Sequence, residues 1–179
     1  MIIHLGFERT GTTFLQKNVF PFCNERVLSN EFLSGHPVSP LRFGIELRTI
    51  ILKGSREHFG NVKIILGIRD KDKWVRSLYN TYISGSGFYS FDKWYADIFD
   101  ERYLDYLSYI SEIKSLFDDV FIFDLDEFNI KELCKFINVD VSKIRNEKVN
   151  RSLNKPLLKI LGTINLFTEG IKYYYRRVE

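Results

Sequence analysis

Ile2-Ile3-His4-Leu5-Gly6-Phe7-Glu8-Arg9-Thr10-Gly11-Thr12-Thr13 opens the chain with a short apolar run, a glycine-bounded loop and the first residues of a helix. Gly6 and Gly11 have the G-x-x-x-x-G spacing of a loop that binds phosphate between a strand and a helix. Such a loop works because glycines let the backbone curl until several N–H groups converge, and the following helix adds the positive end of its dipole. Thr12 and Thr13 contribute hydroxyl donors and Arg9 a fixed positive charge. A loop that hydrolyses nucleoside triphosphates continues with Lys and then Ser or Thr, where the lysine reaches the β- and γ-phosphates. Here Thr12 holds the lysine position. The loop therefore reads as built for a single 5′-phosphoryl group with a substituent attached, not for a triphosphate–magnesium complex.

Outward from the loop, strand and helix patterns alternate. A first strand over 2–5 leads to a helix over 10–19, and 26–29 reads as a second strand ending at Asn30-Glu31. Pro37 and Pro40 punctuate a loop, and helical spacing then runs from Leu41 to about His58. Val62-Lys63-Ile64-Ile65-Leu66-Gly67-Ile68 is the clearest strand, nearly all apolar and β-branched, as in a parallel sheet covered on both faces. A helix over 73–83, a mobile Ser84-Gly85-Ser86-Gly87 loop, a helix over 103–117, a strand over 120–125 and a short helix over 130–137 follow. Residues 156–175 read as an amphipathic C-terminal segment. The pattern predicts one α/β domain spanning 1–179, a P-loop-like three-layer sandwich whose central, mainly parallel sheet is flanked by helices. Ligands of such sheets bind beyond the carboxyl ends of the strands. The loops after Leu5, Ser29, Ile68 and Leu125 should then share one face.

Arg69 ends the third strand on that face, and Ser77 follows eight residues later, inside the next helix. An Arg–Ser pair suits a second, separate phosphate, each charge-assisted bond contributing roughly 1.5–3 kcal/mol. Taken alone, Arg69 has a blander role available in an ion pair with Asp70.

Composition sets outer bounds. The 179 residues carry 26 Lys plus Arg against 23 Asp plus Glu, a net charge of +3. That mild excess suits a phosphate- or sulfate-bearing ligand and is too weak for a nucleic-acid binder. Cys23 and Cys134 form no CxxC and no His/Cys cluster, so they read as separate reduced thiols, not as a zinc site or disulfide. No apolar run nears the roughly 20 residues of a membrane span, and the N-terminus lacks a basic leader. The expected location is the cytoplasm.

Phe7-Glu8-Arg9-Thr10-Gly11-Thr12-Thr13 resembles the 5′-phosphosulfate loop of the sulfotransferases, and Arg69 with Ser77 resembles that family's 3′-phosphate element in type and spacing. The stretch 120–139 is similar to its later strand and helix, so the likeness covers about residues 1–140. The glycine-rich basic motif of the cytosolic animal and plant branch is missing, and the likeness leans to the bacterial or glycan-modifying members. The resemblance implies 3′-phosphoadenosine 5′-phosphosulfate as sulfuryl donor, adenosine 3′,5′-bisphosphate as product, no metal, and a hydroxyl acceptor that is a small molecule or a glycan. It implies donor binding by Arg9, Thr10, Gly11, Thr12, Thr13, Arg69 and Ser77. Arg9 stands where the family usually has lysine, and Glu8 replaces its common proline.

The transfer needs a base, which in this family is His or Glu. Glu31, in Leu28-Ser29-Asn30-Glu31-Phe32-Leu33-Ser34-Gly35, follows the second strand on the ligand face and is favoured. His36 is the second choice; His58 lies at a helix end, and His4 within the first strand. Catalysis is thus assigned to Glu31, Arg9 and His36. Lys148–Ser152 is expected to close over the nucleotide. Tyr79, Tyr82, Phe88, Tyr89, Trp94 and Tyr95 either line an acceptor cleft or pack in the core. Two other functions stay open: a nucleotide-dependent kinase with a degenerate loop, and a nucleotide-binding protein without catalysis.

Overall fold

A computed structural model describes residues 1–38, 44–144, 160 and 162–165. Four strands, β1 (Ile2–His4), β2 (Val27–Ser29), β3 (Lys63–Ile68) and β4 (Val120–Asp124), form one sheet in the order β2-β1-β3-β4. Every pairing is parallel, with Ile3 opposite Leu28 and Ile64, and Ile65 opposite Phe121. The described α-helices up to residue 144 are α1 (Thr12–Asn18), α2 (Gly44–Phe59), α3 (Lys71–Ser84), α4 (Phe91–Asp97), α5 (Tyr106–Leu116) and α6 (Ile130–Phe136).

The period of two along each strand sorts the core into two layers. Ile3, Leu5, Ile64 and Leu66 point into a cluster with Leu52 of α2, Trp74 and Leu78 of α3, Trp94 of α4, and Tyr109 and Ile113 of α5. Ile2, Ile65 and Phe123 point the other way, against Leu15 of α1, Phe20, and Leu133 and Cys134 of α6. The sheet is therefore covered on both faces. The crossovers β1-α1-β2 and β2-α2-β3 lie on opposite faces, so the winding reverses between β1 and β3. A crevice opens at such a reversal, at the carboxyl ends of the strands.

Several element bounds differ from the sequence pattern. α1 begins at Thr12, not Thr10, because Arg9 and Gly11 have φ of 67° and 89°, in the left-handed region that a helix cannot include. α4 lies in a stretch that the aromatic residues had marked without a helix. Its start signal is Ser90, whose hydroxyl accepts from the Lys93 N–H. The helix expected over 103–117 is split: Glu101–Leu104 is a 3-10 turn, and α5 starts after Asp105, whose carboxylate accepts from the Ser108 N–H. Ser84–Gly87 is tied down by hydrogen bonds. The Gly87 N–H donates to the Tyr82 carbonyl, and the Asn165 amide donates to the carbonyls of Ile83 and Gly87. Of the amphipathic stretch expected over 156–175, residues 160 and 162–165 are described and are helical. The rest of it, and Lys148–Ser152, lie outside the described residues. Cys23 and Cys134 are free thiols in one cluster, Cys134 buried and Cys23 partly so. Among the described residues no helix is long and apolar enough to cross a membrane.

Two glycines should respond in opposite ways to alanine. A Cβ on Gly67 in β3 would lie 2.7 Å from Phe123 Cζ and 3.0 Å from the Thr10 carbonyl, whereas one on Gly54 in α2 meets nothing within 4 Å. Gly67→Ala should destabilise by about 1–3 kcal/mol through overpacking, and Gly54→Ala should stabilise by up to about 1 kcal/mol. Urea unfolding midpoints of the two variants measure both effects.

Candidate functional site

The loop after β1 turns sharply over the strand end. The Phe7 carbonyl accepts from the Thr10 hydroxyl at 2.6 Å, the Thr10 N–H at 3.4 Å and the Thr12 hydroxyl at 3.4 Å. Thr10 is fully buried. Its hydroxyl is spent on that carbonyl, so Thr10 shapes the loop from within, whereas Arg9 and Thr13 are partly exposed. Gly6 is required because a Cβ there would lie 2.5 Å from the Thr12 hydroxyl and 2.9 Å from the His4 ring. Below, the Phe7 ring packs against Trp74, Tyr103, Tyr106 and Tyr109. The Trp74 indole N–H donates to the Glu8 carbonyl at 2.8 Å. The loop is thereby fixed to both α3 and α5.

Arg9 reaches α3. Its Nε donates to the Ser77 hydroxyl at 3.1 Å, across 68 positions of sequence. Among the described residues the rest of its guanidinium fork makes no hydrogen bond. Ser77 is thus tied to Arg9, where its spacing had suggested Arg69. Arg69, on the loop after β3, has its Nε 3.8 Å from an Asp126 carboxylate oxygen, and that Nε has no hydrogen-bond partner. The other Asp126 oxygen accepts from Lys73 at 3.0 Å. Asp70, the neighbour that offered Arg69 an ion pair, instead caps α3 through the Lys73 N–H.

The loop after β2 supplies the acid–base groups. Asn30 caps a 3-10 turn over Glu31–Ser34 by accepting from the Phe32 N–H. Ser34 is fully buried and shares a hydrogen bond with the Tyr109 hydroxyl, whose ring lies 3.9 Å from the Arg48 guanidinium carbon. Gly35 closes the turn with φ 84°, and a Cβ there would run into the Tyr103 hydroxyl. Glu31 is half-buried, and its carboxyl is raised above the usual glutamate range, first by burial and then by the negative charge of Glu8. Arg9 and His36 pull in the opposite direction. His36 Nε2 lies 3.7 Å from a Glu8 carboxylate oxygen, and its ring stacks on Phe32 with centroids 5.2 Å apart. The loops after β1 and β2 thus bring Arg9, Glu31 and His36 together at the carboxyl ends of the strands, with Ser77 of α3 on Arg9 and Arg69 following β3 at the same edge.

The other histidines sit elsewhere. His58 ends α2 at the amino-terminal edge of the sheet, against Phe59. His4 is fully buried, with Nδ1 2.8 Å from the Ser29 hydroxyl, which also accepts from Gln16. The aromatic residues of α3 and of the segment after it mostly pack on each other. Trp94 is wholly buried, the Tyr79 hydroxyl donates to the Tyr89 carbonyl, and the Tyr82 hydroxyl accepts from the Phe88 and Tyr89 N–H groups. Sequence reasoning missed Glu8 as a partner of His36; its signal was a carboxylate inside a loop that otherwise suits anions. Among the described residues no group of three or more His, Cys, Asp or Glu is placed to hold a metal ion. Compared with protein-family models, curated proteins and solved structures, the chain matches none of them.

Burial pushes the His4 imidazole down to about 3. The unfolded chain binds this proton near pH 6.5 and the folded chain does not. The stability tied to neutral His4 is therefore complete above pH 6.5 and is lost as pH falls toward 3, by at most about 1.4 kcal/mol per pH unit. Urea midpoints between pH 7.5 and 5 should fall more steeply for the native chain than for His4→Gln. Equal slopes would contradict neutral burial.

Proposed function

We propose that this protein is a sulfotransferase with a P-loop-like donor site, transferring the sulfuryl group of 3′-phosphoadenosine 5′-phosphosulfate to the hydroxyl of a small molecule or glycan in the cytoplasm. The observation that carries the reading is the convergence of a basic loop residue, Arg9, after β1, with the half-buried carboxyl of Glu31, after the neighbouring strand β2. In this reading Arg9 and the N–H groups of 9 and 11–13 hold the 5′-phosphosulfate. Thr12 and Thr13 line the same loop, while Thr10 and Gly11 give it its shape. Arg69, whose Nε lacks a hydrogen-bond partner, takes the 3′-phosphate. Ser77 orients Arg9 by accepting from its Nε.

The chemistry is an in-line displacement at sulfur. Glu31 removes the acceptor hydroxyl proton as the oxygen attacks sulfur and the bond from sulfur to the 5′-phosphate oxygen breaks. The electron pair of that bond stays on the phosphate, where Arg9 offsets the added charge. A carboxyl raised by burial is a better base for a hydroxyl than an exposed one. Phosphoryl transfer from a magnesium nucleotide is less well supported. Thr12 stands in place of the lysine, and the Asp126 carboxylate lies between Lys73 and Arg69.

Glu31→Gln should lower sulfuryl transfer at least a hundredfold while leaving adenosine 3′,5′-bisphosphate affinity within about twofold. Arg69→Ala should weaken that bisphosphate by at least tenfold, about 1.4 kcal/mol, and adenosine 5′-phosphate hardly at all. Calorimetric titration and a radiolabelled-sulfate assay measure these effects. Near-normal turnover in Glu31→Gln, or equal losses for both nucleotides in Arg69→Ala, would overturn the assignments.

A further inference from the structure

Three polar side chains at the carboxyl ends of β1 and β2 come from two different loops, and two of them lie within ion-pair distance. Glu8 belongs to the loop after β1, and Glu31 and His36 to the segment after β2. His36 Nδ1 accepts from the Val38 N–H at 3.2 Å. That bond places the proton of the neutral ring on Nε2, which faces the Glu8 carboxylate at 3.7 Å. The face of the same ring lies on Phe32, 14° from parallel, and Phe32 directly follows Glu31 on the 3-10 turn. A path of contact therefore runs from the donor loop through His36 and Phe32 to the turn that carries Glu31. Glu8 is only 16% exposed, so it is not an ordinary solvated surface group, while His36 is 38% exposed.

We propose that Glu8 is a positioning residue for Glu31, acting through His36 to hold the turn after β2 against the donor loop. The inference rests on Glu31 being the base. It gives a role to a carboxylate that an anion-binding loop would otherwise be expected to lack. Glu8 touches no reacting atom; it orients a segment and adds a negative charge beside Glu31. Among the described residues, the charged and titratable groups around Glu31 are Glu8, Arg9 and His36. The negative one works with burial to raise the carboxyl, and Arg9 and His36 oppose it. Removing the Glu8 charge should therefore lower the Glu31 midpoint. Removing the contact with His36 should loosen the turn.

Two readouts test this. The first needs no substrate: the Glu31 side-chain carboxyl carbon is followed by 13C NMR as pH varies, its signal identified by its loss in Glu31→Gln. The expected midpoint falls by about half a pH unit or more in Glu8→Gln and stays near the native value in Glu8→Asp, which keeps the charge. The second is turnover in Glu8→Gln, His36→Phe and the double variant. If Glu8 acts through His36, each single variant lowers kcat by about tenfold with donor KM little changed, and the double variant loses no more than either one. An unchanged Glu31 midpoint in Glu8→Gln, or kcat losses that multiply in the double variant, would overturn the proposal. If no acceptor is sulfated by the native protein, the sulfotransferase reading fails, and the NMR titration alone decides whether Glu8 and Glu31 are coupled.

Discussion

The Phe7 carbonyl organises this molecule. It accepts from the Thr10 N–H and from the hydroxyls of Thr10 and Thr12, and these bonds close the loop over the end of β1. The turn is possible because Gly11 takes a left-handed backbone and Arg9 is held in one. A left-handed arginine is unfavourable in isolation, so the surroundings must over-determine it. The Phe7 ring set among four aromatic side chains, the Trp74 bond to the Glu8 carbonyl and the Arg9 bond to Ser77 all do so. The aromatic richness of the chain is in large part the packing that supports this loop.

From that constraint the rest of the site follows. A loop pinned to α3 and α5 sends Arg9 toward α3 and leaves Glu8 to face the segment after β2. That segment is itself pinned, by Ser34 on Tyr109 and by Gly35 beside Tyr103. Both loops therefore lean on α5 and the 3-10 turn before it. Their relative position is set by packing on that element and by the Glu8–His36 contact. Arg69 stands apart on the loop after β3, beside Asp126. Asp126 is shared with Lys73, and the Arg69 Nε stands 3.8 Å from its other oxygen without a hydrogen bond.

The sheet was legible in the sequence because its strands are short apolar runs with sharp ends. Ile64 to Ile68 is nearly unbroken, and only burial on both faces accounts for that. The shared face of Arg9, Glu31 and Arg69 was legible for the same reason, since parallel strands put their carboxyl ends on one edge. Pairwise contacts were not. Ser77 is eight residues from Arg69 and 68 from Arg9, yet it binds Arg9, because the left-handed loop turns that arginine toward α3. Thr10 looked like a ligand donor until its burial gave its hydroxyl another acceptor. α4 escaped because Trp94 and its aromatic neighbours gave no clean helical period, and only its Ser90 cap marked the start. The Glu8–His36 contact joins residues 28 positions apart, on loops after different strands, a relation that no local pattern records.

The central claim is that this loop and Arg69 together take a nucleotide with separate 5′ and 3′ phosphates. A thermal-shift titration of the native chain with adenosine 3′,5′-bisphosphate, adenosine 5′-phosphate, and ATP with magnesium tests it most directly. A ligand at 100 times its Kd stabilises by about 2.7 kcal/mol, which for a chain of this length raises Tm by about 5–10 °C. The account predicts that rise for the bisphosphate, with a smaller one for adenosine 5′-phosphate. A rise with ATP and magnesium alone would contradict it.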